Sequence, residues 1–174
     1  MLKHLRSDER GAAAIEFAMV APIAILLYCG FAEFTMAMMA DRRAAHAASV
    51  MADLIAQTPS VSSADINDIF NVSTAIMNPF SATPMKVRIT SVVADANGVP
   101  RVSWSKGNGM TAMSAGTAVA GFPPTLLTAG DSVIQADIQY GYTSPLRMTL
   151  PNVVNFSNTF YLKPRQSASV AFTG

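Results

Sequence analysis

The chain has 174 residues, room for one modest domain, and only 13% of them are charged, with a formal net charge of +1. So slight a positive balance provides no basic surface to neutralise a phosphate backbone, which sets nucleic acid aside as a partner. The single cysteine, Cys29, excludes an intrachain disulfide and a cysteine-rich metal site, and the two histidines, His4 and His46, lie in the N-terminal part, which argues against histidine-based metal or acid/base chemistry further on.

Residues 1–11, MLKHLRSDERG, carry Lys3, Arg6 and Arg10 against Asp8 and Glu9. A basic segment before an apolar helix favours keeping that end in the cytoplasm, although Arg42 and Arg43 on the far flank weaken the asymmetry. Residues 12–40 are almost wholly apolar, interrupted by Glu16 and Glu33, and read as a transmembrane helix. From Ile15 to Ala40 such a helix spans ~39 Å at ~1.5 Å per residue, enough to cross a hydrocarbon core of ~30 Å. Pro22 removes one helical hydrogen bond and predicts a local kink.

Helical character continues through residues 41–58 as a stalk, rich in alanine and free of Gly and Pro as far as Gln57. Arg42, His46, Ser49, Asp53 and Gln57 form a polar stripe, with Val50, Met51, Leu54 and Ile55 on another side. Ala40, Ala44, Ala48, Ala52 and Ala56 make an i, i+4 ridge of small side chains, which lets helix backbones approach closely and predicts packing against other helices.

Residues 59–84 read as a linker with one short helix: Thr58-Pro59-Ser60 breaks the first helix, Ser62 caps a second that runs to Ile76 with Asp65 completing a capping box, and Asn78-Pro79 closes it. Residues 85–174 form the β-rich head. Val87 and Ile89 alternate with Lys86, Arg88 and Thr90, and Asn97-Gly98 predicts that Met85 to Ala94 pairs with Arg101 to Lys106 as a hairpin through a positive-φ turn. Gly107 to Gly121 reads as a mobile surface loop. In Val133 to Tyr142, Ile134, Ala136, Ile138, Tyr140 and Tyr142 share an apolar face opposite Gln135, Asp137 and Gln139, and Thr159 to Lys163 is a plausible fourth strand. The expected fold is α+β: a long N-terminal transmembrane and stalk helix, a short helix, and a small antiparallel sheet that the helices cover.

No nucleophile elbow, Walker loop, zinc-protease or Cys-x-x-Cys motif occurs, and Gly107-Asn108-Gly109-Met110-Thr111-Ala112 fits a dinucleotide fingerprint by letters without the βαβ context it requires. The reading is therefore non-enzymatic, with no cofactor, metal or small-molecule substrate.

The informative segment is Arg10-Gly11-Ala12-Ala13-Ala14-Ile15-Glu16-Phe17-Ala18-Met19-Val20-Ala21-Pro22. A basic leader ending in Gly, four small or apolar residues, a glutamate, an aromatic and a long apolar helix resemble a prepilin peptidase substrate, with cleavage between Gly11 and Ala12. With Gly30-Phe31-Ala32-Glu33, the segment is similar to the TadE-like pseudopilins of tight-adherence, Flp-type pilus systems, and Tyr161-Leu162-Lys163-Pro164-Arg165 resembles the ending of that family. Ile15 stands where valine is common there, and Ala21 precedes Pro22 where a bulkier residue is usual.

The resemblance implies a minor pilin in the bacterial inner membrane, with its N-terminus cytoplasmic and its head exported, whose partners are the prepilin peptidase, other pilins and the pilus platform. Glu16, Phe17 and Glu33 would serve assembly and register. The carboxylate of Glu16, in the first turn of the processed helix, would meet the new Ala12 amine of its own chain or, as the resemblance implies, of a neighbour; the alternative is an unpartnered residue snorkelling at the inner boundary. Glu33 is either an outer-interface residue or an interhelical contact. Cleavage would remove three basic and two acidic residues from totals of 12 and 11, leaving nine of each. Two other readings remain: a permanently anchored periplasmic binding or scaffold module, favoured if Trp104, Tyr140 and Tyr142 line a ligand pocket, and a secretory signal peptide cut near Ala37 to Ala40.

Overall fold

The computed structural model describes residues 10–123 and 125–174. They form two compact units, one holding the chain up to Met38 with Thr143–Val154, the other Met39–Tyr142 with Asn155–Gly174. Helix α1, Arg10–Ala56, runs through both without interruption, with Pro22 inside it. The continuity follows from composition, because after Gly30 no glycine or proline occurs before Pro59 and alanine dominates. The helix ends where expected.

In the first unit, no residue of α1 between Gly11 and Ala32 is buried, and this stretch contains Ile15, Phe17, Val20, Ile23, Leu26 and Phe31 among its well-exposed apolar side chains. It falls within the segment long and apolar enough to cross a membrane, with a mean hydropathy of 2.0 over its best window and none of that window buried. A buried stripe begins at Glu33 and continues through Ala37.

The second unit contains the rest of α1, strand β1 (Ser60–Val61), helix α2 (Ser63–Ile76), strands β2 (Met85–Ala94), β3 (Pro100–Asn108), β4 (Ser132–Tyr142) and β5 (Val154–Leu162, entered from the first unit), and strand β6 (Ala171–Phe172). The predicted capping box is present: Ser62 Oγ accepts from Asp65 N–H at 3.2 Å and Asp65 Oδ2 accepts from Ser62 N–H at 2.8 Å. Donation from the Ser62 N–H, and from the Ser62 hydroxyl at 2.7 Å, holds the Asp65 carboxyl below its ordinary pKa. The main sheet has the order β3-β2-β4-β5, with β2 antiparallel to both neighbours, and β1 pairs with β6 in parallel. The β2–β3 turn follows the prediction in part. Only Gly98 takes positive φ, at 76°, and Asp95 builds the rest of the turn by accepting from Asn97 N–H and Val99 N–H.

Ile89, Ile134, Ala136 and Ile138 are at most 1% exposed, and their alternation gives the apolar face predicted for β4. The opposite face differs from expectation, since Gln135 and Asp137 are buried as well. Asp137 accepts from Arg88 Nη2 at 2.8 Å, Gln135 Nε2 at 3.0 Å and Thr159 Oγ1 at 2.8 Å, so three strands supply its partners. Beyond them Val92, Ala94, Phe122, Leu127 and Val133 close a small second core. The loop after β3, read as mobile, is tied back by Val102 N–H to Thr117 O at 2.9 Å, Gly116 N–H to Val102 O at 2.7 Å and Arg88 Nη1 to Thr111 O. Backbone pairing, invisible in a small-residue sequence, holds it.

Candidate functional site

The cleavage pair Gly11–Ala12 lies in the first turns of α1 and is exposed. Among the described residues a Cβ built on Gly11 meets nothing within 4 Å, so none of them requires a glycine there. Its helical setting means that an extended entry into a peptidase would unwind the first turn, which is where helices fray and where glycine lowers the cost. Glu16 stands one turn beyond Ala12, exposed, and among the described residues nothing donates to its carboxylate. Phe17 is 72% exposed. Pro22 is exposed too, in a helix that continues past it.

Glu33 is different: it is fully buried, in a helix segment whose other carboxylate, Glu16, is open. Its partners come from one strap of chain, Ser144 to Leu150. Oε1 accepts from Ser144 Oγ at 2.8 Å and Met148 N–H at 2.9 Å; Oε2 accepts from Thr149 N–H and Leu150 N–H, each at 2.8 Å, and from the Thr149 hydroxyl. All five are donors, the complement a carboxylate requires. Three successive amides converge because Arg147, just before them, takes φ 54°, a left-handed conformation that turns the following N–H groups inward as an anion-binding nest. Ser144 Oγ also accepts from Leu146 N–H and Arg147 N–H and so braces the turn.

Gly30 makes room for this strap. A Cβ there would lie 3.3 Å from Thr149 Cγ2, tighter than ordinary contact, so only glycine lets the strap seat without a shift one turn before Glu33. Leu26, Leu27, Gly30, Phe31, Phe34 and Thr149 line an open apolar groove of about 480 Å³ on the same unit. The sequence singled out Glu33 but gave no sign of Ser144, Met148, Thr149 and Leu150, more than a hundred residues away.

The alanine ridge lies beyond. Ala40, Ala44, Ala48, Ala52 and Ala56 are all 0% exposed within the chain itself. The sequence reading had other helices as the partners of this ridge; here the chain's own residues cover it. Hydrogen bonds fix this part of α1 in its unit: Arg43 Nη1 donates to Ile76 O, Asn158 Nδ2 to Asp41 Oδ1, and the Arg165 guanidinium to Asp53. Arg165 N–H also donates at 2.8 Å to Ala56 O, an otherwise unpaired carbonyl at the end of the helix, where a cation is favoured. The Tyr161-Leu162-Lys163-Pro164-Arg165 run thus acts as a clasp: Tyr161 packs on Phe122, Lys163 pairs with Asp131, and Arg165 caps α1. The Asp131 carboxyl, which also accepts from Thr128 N–H and its hydroxyl, is lowered to about 2.

Trp104, Tyr140 and Tyr142 are all buried and belong to the packing of the head. Trp104 Nε1 donates to Val170 O at 2.8 Å and its ring lies 5.9 Å from that of Phe172, Tyr140 Oη donates to Ser81 O, and Tyr142 meets Phe80 edge to face. His46 is exposed, and His4 lies outside the described residues, as do Lys3, Arg6, Asp8 and Glu9 of the leader. Among the described residues no group of three His, Cys, Asp or Glu side chains is placed to hold a metal.

An unburied apolar helix at the N-terminus, a second short helix and a small antiparallel four-stranded sheet make this an α+β protein. Over residues 11–53 the chain matches the family described as TadE-like protein, the same segment that carries Gly11, Glu16, Gly30 and Glu33. No curated protein and no solved structure gives a match.

Proposed function

We propose that the chain is a minor pilin, or pseudopilin, that a prepilin peptidase cuts between Gly11 and Ala12 and that takes part in the biogenesis or assembly of a Tad, or Flp-type, pilus. The observation that carries this reading is the contrast along α1: everything from Gly11 to Ala32 is left unburied by the chain itself, while the ridge above it is used internally. The unburied part is then the surface for the membrane and for other pilins. Glu16 and Phe17 lie on it, with the Glu16 carboxylate free for an Ala12 amine of a neighbouring chain, which would set register in the assembly. The protein sits in the inner membrane with its N-terminus cytoplasmic and its head exported, and acts without catalysis. The helix passes unbroken through Ala37 and Ala40, both buried, which weighs against a signal peptide cut there. The burial of Trp104, Tyr140 and Tyr142 likewise weighs against a ligand-binding head.

The test is the N-terminal sequence and intact mass of the chain from native membranes, in wild type, in Gly11→Ala and in a peptidase deletion. Because a Cβ at Gly11 meets nothing among the described residues, the variant is expected to keep the wild-type fold and a loss of processing to report recognition. A mature N-terminus at Ala12 that vanishes in both backgrounds is the expected result. An intact N-terminus in wild type would instead mean a permanently anchored scaffold module.

A further inference from the structure

We propose that the strap Thr143–Val153 is a membrane-surface collar: its exposed face rests on the outer phospholipid interface, and its grip on Glu33 fixes the depth of the span. The proposal rests on α1 being a membrane span and goes beyond it by naming where the span ends and which second segment meets the lipid.

The first observation is length. The unburied stretch from Gly11 to Ala32 covers about 33 Å at ~1.5 Å per residue, matching a hydrocarbon core of ~30 Å, whereas a span continued to Ala40 would exceed that core by roughly 15 Å. The burial pattern changes at Glu33, where the strap begins to cover the helix. The outer boundary therefore falls near Glu33 rather than Ala40.

The second observation is the chemistry of the strap. Its inward groups are polar and spent on Glu33, so no amide of Met148, Thr149 or Leu150 is left open toward lipid. Its exposed groups mix large apolar side chains, Leu146, Met148 and Val153 at 48%, 53% and 54% exposure, with Arg147 and the uncharged polar residues Thr143, Thr149 and Asn152. Apolar side chains flanking a cation suit the zone between acyl chains and phosphates. Tyr28 and Phe31, both exposed on α1 within two turns of Glu33, continue this apolar surface into the span. The open groove beside Thr149 gives an acyl chain a place to lie.

The experiment uses the full chain in a Cys29→Ser background with single cysteines replacing Ile23, Met148 or Asn97, each carrying a fluorophore. The chain is reconstituted into phosphatidylcholine vesicles with a quarter phosphatidylglycerol, some lipids bearing a nitroxide near the glycerol and others at the chain end. The label at 148 is expected to be quenched several-fold more than that at 97, and best by the shallow nitroxide. The label at 23 should respond best to the deep one. Glu33→Ala should release the strap and bring 148 toward the level of 97. Arg147→Gly, which suits the positive φ, should keep the quenching but remove its dependence on phosphatidylglycerol.

Quenching at 23 with none at 148 would overturn the collar and leave the span intact. A label at 148 shielded from both lipid nitroxides and aqueous iodide would overturn it in favour of a protein cover such as a second copy. No quenching at 23 would overturn the span and the collar with it.

Discussion

Ala48→Leu decides whether the alanine ridge belongs to the folded chain or to its neighbours. Ala48 is 0% exposed, and so are Ala44, Ala47, Ala52 and Met51 around it, so no free volume awaits three added carbons. Overpacking of such a site costs typically about 1–3 kcal/mol, while the change in helix propensity from Ala to Leu is small. At about 2–4 °C per kcal/mol for a chain of this size, the melting temperature in detergent should fall by roughly 2–12 °C. His46→Leu on the exposed stripe of the same helix is the control, with an expected effect within about 0.5 kcal/mol. Measured by circular dichroism on the purified full chain, equal melting for Ala48→Leu and His46→Leu would refute the reasoning. It would mean that the ridge is free in the single chain and available to partner helices.

Two further outcomes concern the head. Trp104→Phe removes the indole donor to Val170 O and leaves that buried carbonyl unpaired, so the head should lose about 1–3 kcal/mol, read from the shift in urea midpoint at unchanged slope. Asp131 supplies a pH dependence: its folded pKa, about 2, lies below the ordinary ~3.9 of the unfolded chain, so its contribution is present above pH ~4 and is lost as pH falls through about 2. Asp131→Asn should flatten the fall of the melting temperature between pH 4 and 2 relative to wild type. An unchanged slope would show that the Thr128 and Lys163 contacts do not hold in solution.

Much of this protein is legible because the signals are local. An apolar run of membrane length, the capping pair Ser62 and Asp65, the Asn97-Gly98 turn and the alternation from Ile134 to Tyr142 each depend on neighbours within a few residues. The order β3-β2-β4-β5 and the burial of Asp137 are not of that kind, because Arg88, Gln135 and Thr159 come together only after three strands have paired. The alanine ridge shows how a correct pattern leaves its partner open: small residues at i, i+4 announce close packing but not with what, and here the chain covers them itself.

Glu33 marks the division most clearly. By itself the sequence determined that a carboxylate would interrupt an apolar helix and that such a group needs partners, since an uncompensated charge in an apolar setting is costly. Only the tertiary structure decided that those partners are the amides of Met148, Thr149 and Leu150 with the hydroxyls of Ser144 and Thr149. Backbone N–H groups are present in nearly every residue and carry no sequence signature. What selects these three is the left-handed turn at Arg147 and the missing side chain at Gly30, a conformation and a gap that become visible only when the chain has folded.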